Sequence, residues 1–343
     1  MNAKTPKRPV SLQEIADAAG VHRGTASRAL NPATVGKVNP ETAAAILKIA
    51  QKLQYRPNPI ARGLRTSRSM SIGVLIADLT NPFYPPLVRG IDDALRDQNY
   101  VPLLANTDND PERELDLLRN LRDRQVDGLI IATARVKDPF ITALAAEGFP
   151  AVLVSRTVKD LDMPSVTVND KNAIELAVNH LVSLGHRNIG HIAGPMDVMT
   201  GVTRKSAFIS ACRKAKVASY PIVGTSHFSL EQGKIAAKKL MENHELTAII
   251  GANDLIALGC IDYLTEQGLK CPGDMSVVGI NDMDYLELIA PPLTTVNTQT
   301  YQMGLSAAQV LLSILSGTKS SNAESRILQP KLIVRKSTAR PKK

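Results

Sequence analysis

The stretch Ser-Leu-Gln-Glu-Ile-Ala-Asp-Ala-Ala-Gly-Val-His-Arg-Gly-Thr-Ala-Ser-Arg-Ala-Leu-Asn, residues 11–31, decides how the N-terminal part of this chain folds. Ser11 with Glu14 three residues on is a capping box, which opens a helix. Leu12, Ile15, Ala16 and Ala19 recur at helical spacing and give one apolar stripe. Gly20 then stops the helix as a left-handed C-terminal residue would. A second short helix fits His22 to Leu30, anchored by Ala26 and Ala29 or Leu30, with Val21 sealing the turn. Ala16 has to be small because the second helix crosses it. His22, Arg23, Gly24, Thr25, Ser27 and Arg28 are left facing outward. That donor-rich face is what a recognition helix offers to the major groove.

A third helix is expected from Asn39-Pro40-Glu41, which supplies a capping residue, a proline at the first helical position and an early acid. Its stripe is Thr42, Ile46, Ile49, Ala50 and Leu53. The segment Tyr55-Arg56-Pro57-Asn58-Pro59-Ile60-Ala61-Arg62-Gly63-Leu64-Arg65-Thr66-Ser67-Arg68 follows, basic and punctuated by proline, and read alone it is a linker.

Charge is concentrated in the same region. Residues 1–68 hold 12 Lys and Arg against 3 acids, whereas the remainder holds 29 of each, so the whole formal +9 lies in the first fifth of the chain. Clustered cations suit a polyanion, because each phosphate contact releases counterions.

From Ser71 onward short apolar runs alternate with amphipathic stretches. The runs are 72–77, 101–105, 128–132, 151–154, 165–168, 189–193, 248–251 and 277–280. Helices are expected at 84–98, 111–124, 139–147, 170–184, 202–216, 230–242 and 255–267. This rhythm predicts βαβ units and parallel sheets, and its length suits two lobes. With no Trp and 3% aromatic residues, the core must be aliphatic. No apolar run is long enough to span a membrane, and residues 1–10 are too polar for a secretory signal, so a cytoplasmic protein is expected. Cys212, Cys260 and Cys271 form no CxxC pair and read as buried or incidental thiols.

Enzyme chemistry is not apparent. The sequence has no glycine-rich phosphate loop, no GxSxG and no His/Cys group at metal spacing, so neither catalysis nor a cofactor or metal is expected. His186 and His191 read as structural, and Asp282, Asp284 and Glu287 as hydrogen-bonding or solvated loop acids. What remains is a set of polar groups past the expected strand ends: Asp78 and Asn81, Thr133, Ser155-Arg156, Asn253-Asp254 and Asn281-Asp282. In parallel α/β lobes ligands bind at the carboxyl ends of the strands, and such groups suit a polyhydroxylated molecule.

Residues 11–31 and Tyr55-Arg56-Pro57-Asn58-Pro59-Ile60-Ala61-Arg62-Gly63-Leu64 resemble the headpiece and hinge of the LacI/GalR family of bacterial transcription regulators. The similarity continues through 78–84, 127–131, 184–189, 193–195, 252–259, 276–282 and 291–296. It implies an all-α helix-turn-helix headpiece plus an α/β two-lobed effector domain like the type I periplasmic binding proteins, with three crossovers between lobes. The boundaries expected are 1–56 for the headpiece, 57–69 for the hinge and 70–343 for the effector-binding and dimerisation domain. The resemblance further implies a homodimer, with no tetramer-forming leucine tail, on a palindromic operator in double-stranded DNA. Repression modulated by a small-molecule effector is expected; a solute receptor of the same lobes is the alternative.

By position, Arg23 and Gly24 match the residues that most often set base preference, and Thr25 and Arg28 further contacts. Gly24 has no side chain, so readout should lean on Arg23 and Arg28. Ser11, His22, Ser27, Asn31, Tyr55, Asn58, Ala61 and Arg62 complete the expected DNA-contact set, and Leu64 matches the leucine that wedges into the minor groove. The loop between Asn31 and Val38 is longer than is usual in the family. In the effector domain Arg204, Asn253 and Asn281 fall at effector positions, with Ser155 and Thr200 as weaker matches; Asp78, Asn81, Phe83 and Thr133 complete the expected set. Asn281 and Ser155 both stand where an aspartate is common. The expected effector is therefore a sugar or sugar derivative, with a sugar acid or phosphosugar suited to the less acidic pocket.

Overall fold

The computed structural model describes residue 8 and residues 10–31, 34–55, 68–242, 244–317 and 324–342. The chain divides into two compact units, Met1–Ser69 and Met70–Lys343.

The first unit contains α1 (Leu12–Ala18), α2 (Arg23–Ala29), a 3₁₀ turn (Val35–Lys37) and α3 (Pro40–Lys52). The capping box forms in full, with the Ser11 side chain accepting from the Glu14 N–H and the Glu14 carboxylate accepting from the Ser11 N–H. The helix ends in a Schellman motif. Gly20 sits at φ +64°, its N–H donates to Asp17 O at 3.1 Å, and the Val21 N–H donates to Ala16 O at 3.0 Å. Gly20→Ala should therefore cost about 1 kcal/mol. Amide hydrogen exchange of residues 12–30 should speed up accordingly; unchanged protection would show that the turn does not limit this unit.

Asn39 caps α3 as expected, accepting from the Glu41 and Thr42 N–H groups. The buried stripe differs by a position: Ala43, Ile46 and Ala50 are enclosed, Thr42 and Ile49 are half-buried, and Leu53 is exposed. Leu53 is the C-cap of α3 and falls past its last buried turn. Ile15, Ala16, Ala26, Ala29 and Ile46 form the centre of this small core.

The second unit contains β1 (Ser71–Ile76), α4 (Tyr84–Arg96), β2 (Val101–Asn106), α5 (Pro111–Asp123), β3 (Gly128–Ile131), α6 (Pro139–Ala146), β4 (Ala151–Val154) and β5 (Ser165–Val168). It continues with α7 (Asp170–Leu184), β6 (Ile189–Ala193), α8 (Met199–Lys214), β7 (Ile222–Gly224), α9 (Leu230–Glu242), β8 (Ala248–Gly251), α10 (Asp254–Glu266) and β9 (Ser276–Asn281). Last come β10 (Thr294–Asn297), α11 (Thr300–Leu315), β11 (Arg326–Leu328) and β12 (Lys331–Ile333).

Two six-stranded sheets result, ordered β11-β5-β4-β3-β1-β2 and β12-β10-β9-β8-β6-β7. Pairing is parallel throughout except between β10 and β12. The chain passes between lobes after β5, after β10 and after β11, which gives the three crossovers implied by the family resemblance. Alternate strand residues feed opposite faces: Ile130 enters one core of the first lobe, while Leu129 and Ile131 enter the other. In the second lobe Ile249 and Ile250 divide in the same way. Both sheets are thus covered on two sides, as parallel sheets require.

The sequence reading missed β7, β10, α11, β11 and β12, and began α8 at Val202 rather than Met199. β7, β11 and β12 are three residues long, too short for a periodicity, and β10, Thr-Thr-Val-Asn, is not an apolar run. α11 is enclosed on several sides, with Met303, Gly304, Ser306, Ala307, Ala308, Val310 and Leu311 all buried, so it lacks a clean polar face.

Candidate DNA-contact face and effector cleft

In the first unit α2 presents Arg23 and Arg28 to solvent. Arg28 is steered by an Nε–H bond to Gly24 O at 3.2 Å. His22 turns out to cap α2: its Nδ1 accepts from the Gly24 N–H at 3.1 Å, which leaves the other ring nitrogen to face outward. Thr25 and Ser27 are half-exposed, as is Gly24, and Asn31 follows the helix. Thr34 donates its hydroxyl to Arg28 O at 3.0 Å and so closes the C-terminal end of the helix, a role the sequence reading did not assign.

Tyr55 is half-buried against this core, and burial pushes its phenol up while the nearby Arg23 charge pulls it down. Its N–H closes α3 on Ala50 O at 2.9 Å, with Gln54 in the left-handed region at φ +51°. Asn58, Ala61, Arg62 and Leu64 lie outside the described residues.

In the second unit the strand ends of both lobes converge on one cleft. Asn81, Phe83, Ser155, Thr200, Arg204, Asn253 and Asn281 all line it, in a space of about 360 Å³ that includes its open side. Tyr84, Arg156 and Phe228 join them. Of these, Phe228 had no signal in the sequence beyond being one of only five phenylalanines, since the strand before it was too short to read. The earlier start of α8 explains why Thr200 and Arg204 belong together: they lie one turn apart on a single helix.

Two expected residues lie outside the lining. The Asp78 carboxylate closes its own turn, accepting from the Thr80 N–H at 2.9 Å and the Thr80 hydroxyl at 2.6 Å. Thr133 is buried and donates to Glu114, which Arg135 also binds at 3.2 Å. Burial pushes the Glu114 carboxyl up, and the hydrogen bond from Thr133 offsets part of that. Short polar side chains after strands are readily captured by turns or buried acids, which is what happens here.

Arg204 is 5% exposed, and its guanidinium is held in place. Nε donates to Asp170 at 2.6 Å and Nη1 to Ala252 O at 2.6 Å. Burial pushes Asp170 up, against the pull of the Arg204 charge. Asn253 caps α10 through Oδ1, accepting from the Ile256 N–H at 2.9 Å. Ser155 and Asn281 hold positive φ, at +66° and +125°. Strained backbone of this kind, one residue from each lobe facing the same cleft, is typical of ligand-binding positions.

The loop after β3 meets the loop after β6 across the lobes, with the Val136 N–H donating to Asp197 O at 2.7 Å. Asp254 is fully buried, accepts from the Thr295 hydroxyl and the Met283 N–H, and is pushed up to about 6 by burial. Asp282 is taken by Arg335 and Asn297, both at 2.8 Å. His191 stands in the core with Nδ1–H donating to Ile250 O at 2.9 Å, and burial holds it down at about 4. His186 bridges Thr247 and the Ala339 carbonyl. Both histidines are structural, in line with the sequence reading. No group of three or more potential metal ligands occurs among the described residues. Among them, also, no helix is long and apolar enough to cross a membrane.

Comparison with known proteins gives this geometry a context. Residues 11–58 match the family of bacterial regulatory proteins, lacI family, and residues 178–338 match a periplasmic binding protein-like domain. The chain is 32% identical to the HTH-type transcriptional regulator RegA of Clostridium saccharobutylicum, over 96% of this chain and 99% of that one. It is 30% identical to the ribose operon repressor of Bacillus subtilis, over 96% and 98%. Among solved structures, the lac repressor dimer bound to operator and an anti-inducer superposes with a TM-score of 0.86 at 26% identity, over 97% of this chain and all of that one. The similarity to regulators runs through the helix-turn-helix as well as the lobes, which favours a regulator over a solute receptor. The chain belongs to the LacI family of bacterial transcription regulators.

Proposed function

We propose that the protein is a dimeric repressor that binds a palindromic operator through α2 and the hinge, and that a small hydroxylated effector in the cleft between the lobes changes its operator affinity. One observation carries this reading. The chain pairs an α2 face with two solvent-facing arginines with a cleft into which both lobes send polar side chains. Relatives supply support: a LacI family regulator of Enterococcus faecium, 33% identical, was solved with ribose, and the regulator CelR, 28% identical, with cellobiose. The effector acts by favouring one arrangement of the lobes, because a ligand shifts an equilibrium only by its differential affinity for the two states. The Val136–Asp197 hydrogen bond is one of the contacts that such a shift would make or break.

Arg23→Ala tests the DNA half of the reading. Loss of a bidentate guanine contact should weaken operator binding by about 1–3 kcal/mol, while binding to unrelated duplex falls far less. Fluorescence anisotropy on both duplexes measures this. Equal losses on the two would mean that Arg23 touches only phosphate.

A further inference from the structure

The cleft combines cationic and amide donors with acceptors that are all neutral, the Ser155 and Thr200 hydroxyls and the Asn281 amide. Oδ1 of Asn253 already accepts from the backbone N–H of Ile256, and Oδ1 of Asn81 from that of Phe83 at 3.0 Å. A backbone N–H can only donate, so these contacts fix the amide orientation and leave the Nδ2 groups of these two lining residues as donors. Arg204 has committed Nε and Nη1, which leaves Nη2 without a partner among the described residues.

Arg156 lines the cleft with no ion pair or side-chain hydrogen bond among the described residues; the carboxylate whose field it feels, Glu114, is already bound by Thr133 and Arg135. Among the described residues, no aspartate or glutamate lines the space. The acids nearby are engaged elsewhere: Asp78 in its turn, Asp170 on Arg204, Asp254 on Thr295 and Asp282 on Arg335.

We infer that the effector is a small anion, a sugar-sized molecule carrying a phosphate or a carboxylate that Arg156 and the donor face receive. This rests on the reading above that the cleft takes an effector. A neutral sugar brings one proton to donate with every hydroxyl, and this lining meets it with neutral acceptors only, while the Arg156 charge is left unmatched. A phosphate or carboxylate brings only acceptors, and charge-assisted bonds to guanidinium and amide groups are the strong ones. Phe83 and Phe228, one from each lobe, supply apolar surface for the uncharged body of the ligand.

Isothermal titration of the full chain against three sets of probes tests this: pentose and hexose phosphates, the matching aldonic acids, and the matching free sugars. At least one anion should bind at least about ten-fold more tightly than its free sugar, and Arg156→Gln should abolish that margin. The phosphate and acid arms tell which anion it is. A free sugar that binds as tightly as its anions, or a margin that survives in Arg156→Gln, overturns the inference while leaving an effector cleft in place. Failure of every probe to bind or to alter operator affinity overturns the effector reading itself, and the inference with it.

Discussion

Gly304→Val, or Gly259→Val, should leave little folded protein. Each lobe brings two helices together through reciprocal glycines. A Cβ on Gly304 of α11 would lie 2.0 Å from Leu87 O of α4, and one on Gly90 of α4 would lie 2.1 Å from Tyr301 O. In the second lobe a Cβ on Gly259 of α10 would lie 2.0 Å from Leu230 O of α9, and one on Gly233 would lie 2.4 Å from Ile256 O. The obstructing atoms are backbone, so no rotamer change relieves them and the helices must move apart.

Helix propensity alone expects Gly→Ala to gain about 1 kcal/mol. Overpacking in a dense core costs 1–3 kcal/mol and occasionally more, and contact with backbone belongs at the upper end, so about 3 kcal/mol of loss is expected for Ala and more for Val. At about 2–4 °C per kcal/mol for a domain of this size, the Ala variants should melt about 6–12 °C lower. Calorimetry of Gly304→Ala settles the sign; a higher melting temperature would mean that the two helices are not in backbone contact.

Arg204→Met should be nearly as costly and should depend on pH. Arg204 and Asp170 form a pair in which both side chains are about one-tenth exposed or less, at 2.6 Å. Removal of one partner strands a buried charge, which costs about 3–5 kcal/mol. The pH dependence follows from Asp170. Burial already pushes its carboxyl up, and Arg204 is the charge that restrains the shift. Without Arg204 the folded-state value rises further above the unfolded one. The folded protein then favours the protonated acid, so relative stability is retained at acid pH and lost as pH rises through the folded-state value. The deficit of Arg204→Met against wild type should thus be greatest at neutral pH and narrow towards pH 4. Pairing it with Asp170→Leu should recover most of the loss at pH 7. Urea denaturation across pH measures all three proteins; a deficit that stays constant with pH would show that Asp170 is not the group left stranded.

Local signals carried most of the fold. Ser11, Gly20 and Asn39 each specify a cap through their own chemistry, and each cap is formed by the residue expected. Buried parallel strands read as continuous apolar runs of the right length. The sequence fell silent where an element depends on its neighbours: α11 is enclosed on several sides, and β11 and β12 are three-residue edge strands.

The cleft divides along the same line. Arg204, Asn253 and Asn281 could be placed from strand ends and family resemblance. The removal of Asp78 and Thr133 from the lining depends on Thr80 and Glu114, partners that only the folded chain brings near. Phe228 enters from the opposite direction, placed by a loop whose preceding strand is three residues long. The donor character of the two asparagines was likewise hidden, because the Asn81 turn and the Asn253 helix cap appear only once the chain is folded.

Selection of bound sequences from a random duplex pool by the full chain tests the central claim most directly. The account predicts a two-fold symmetric consensus, with guanines at the positions read by Arg23 and Arg28, and binding that weakens steeply as salt rises. Recovery of no consensus, with the pool bound equally before and after selection, would contradict it.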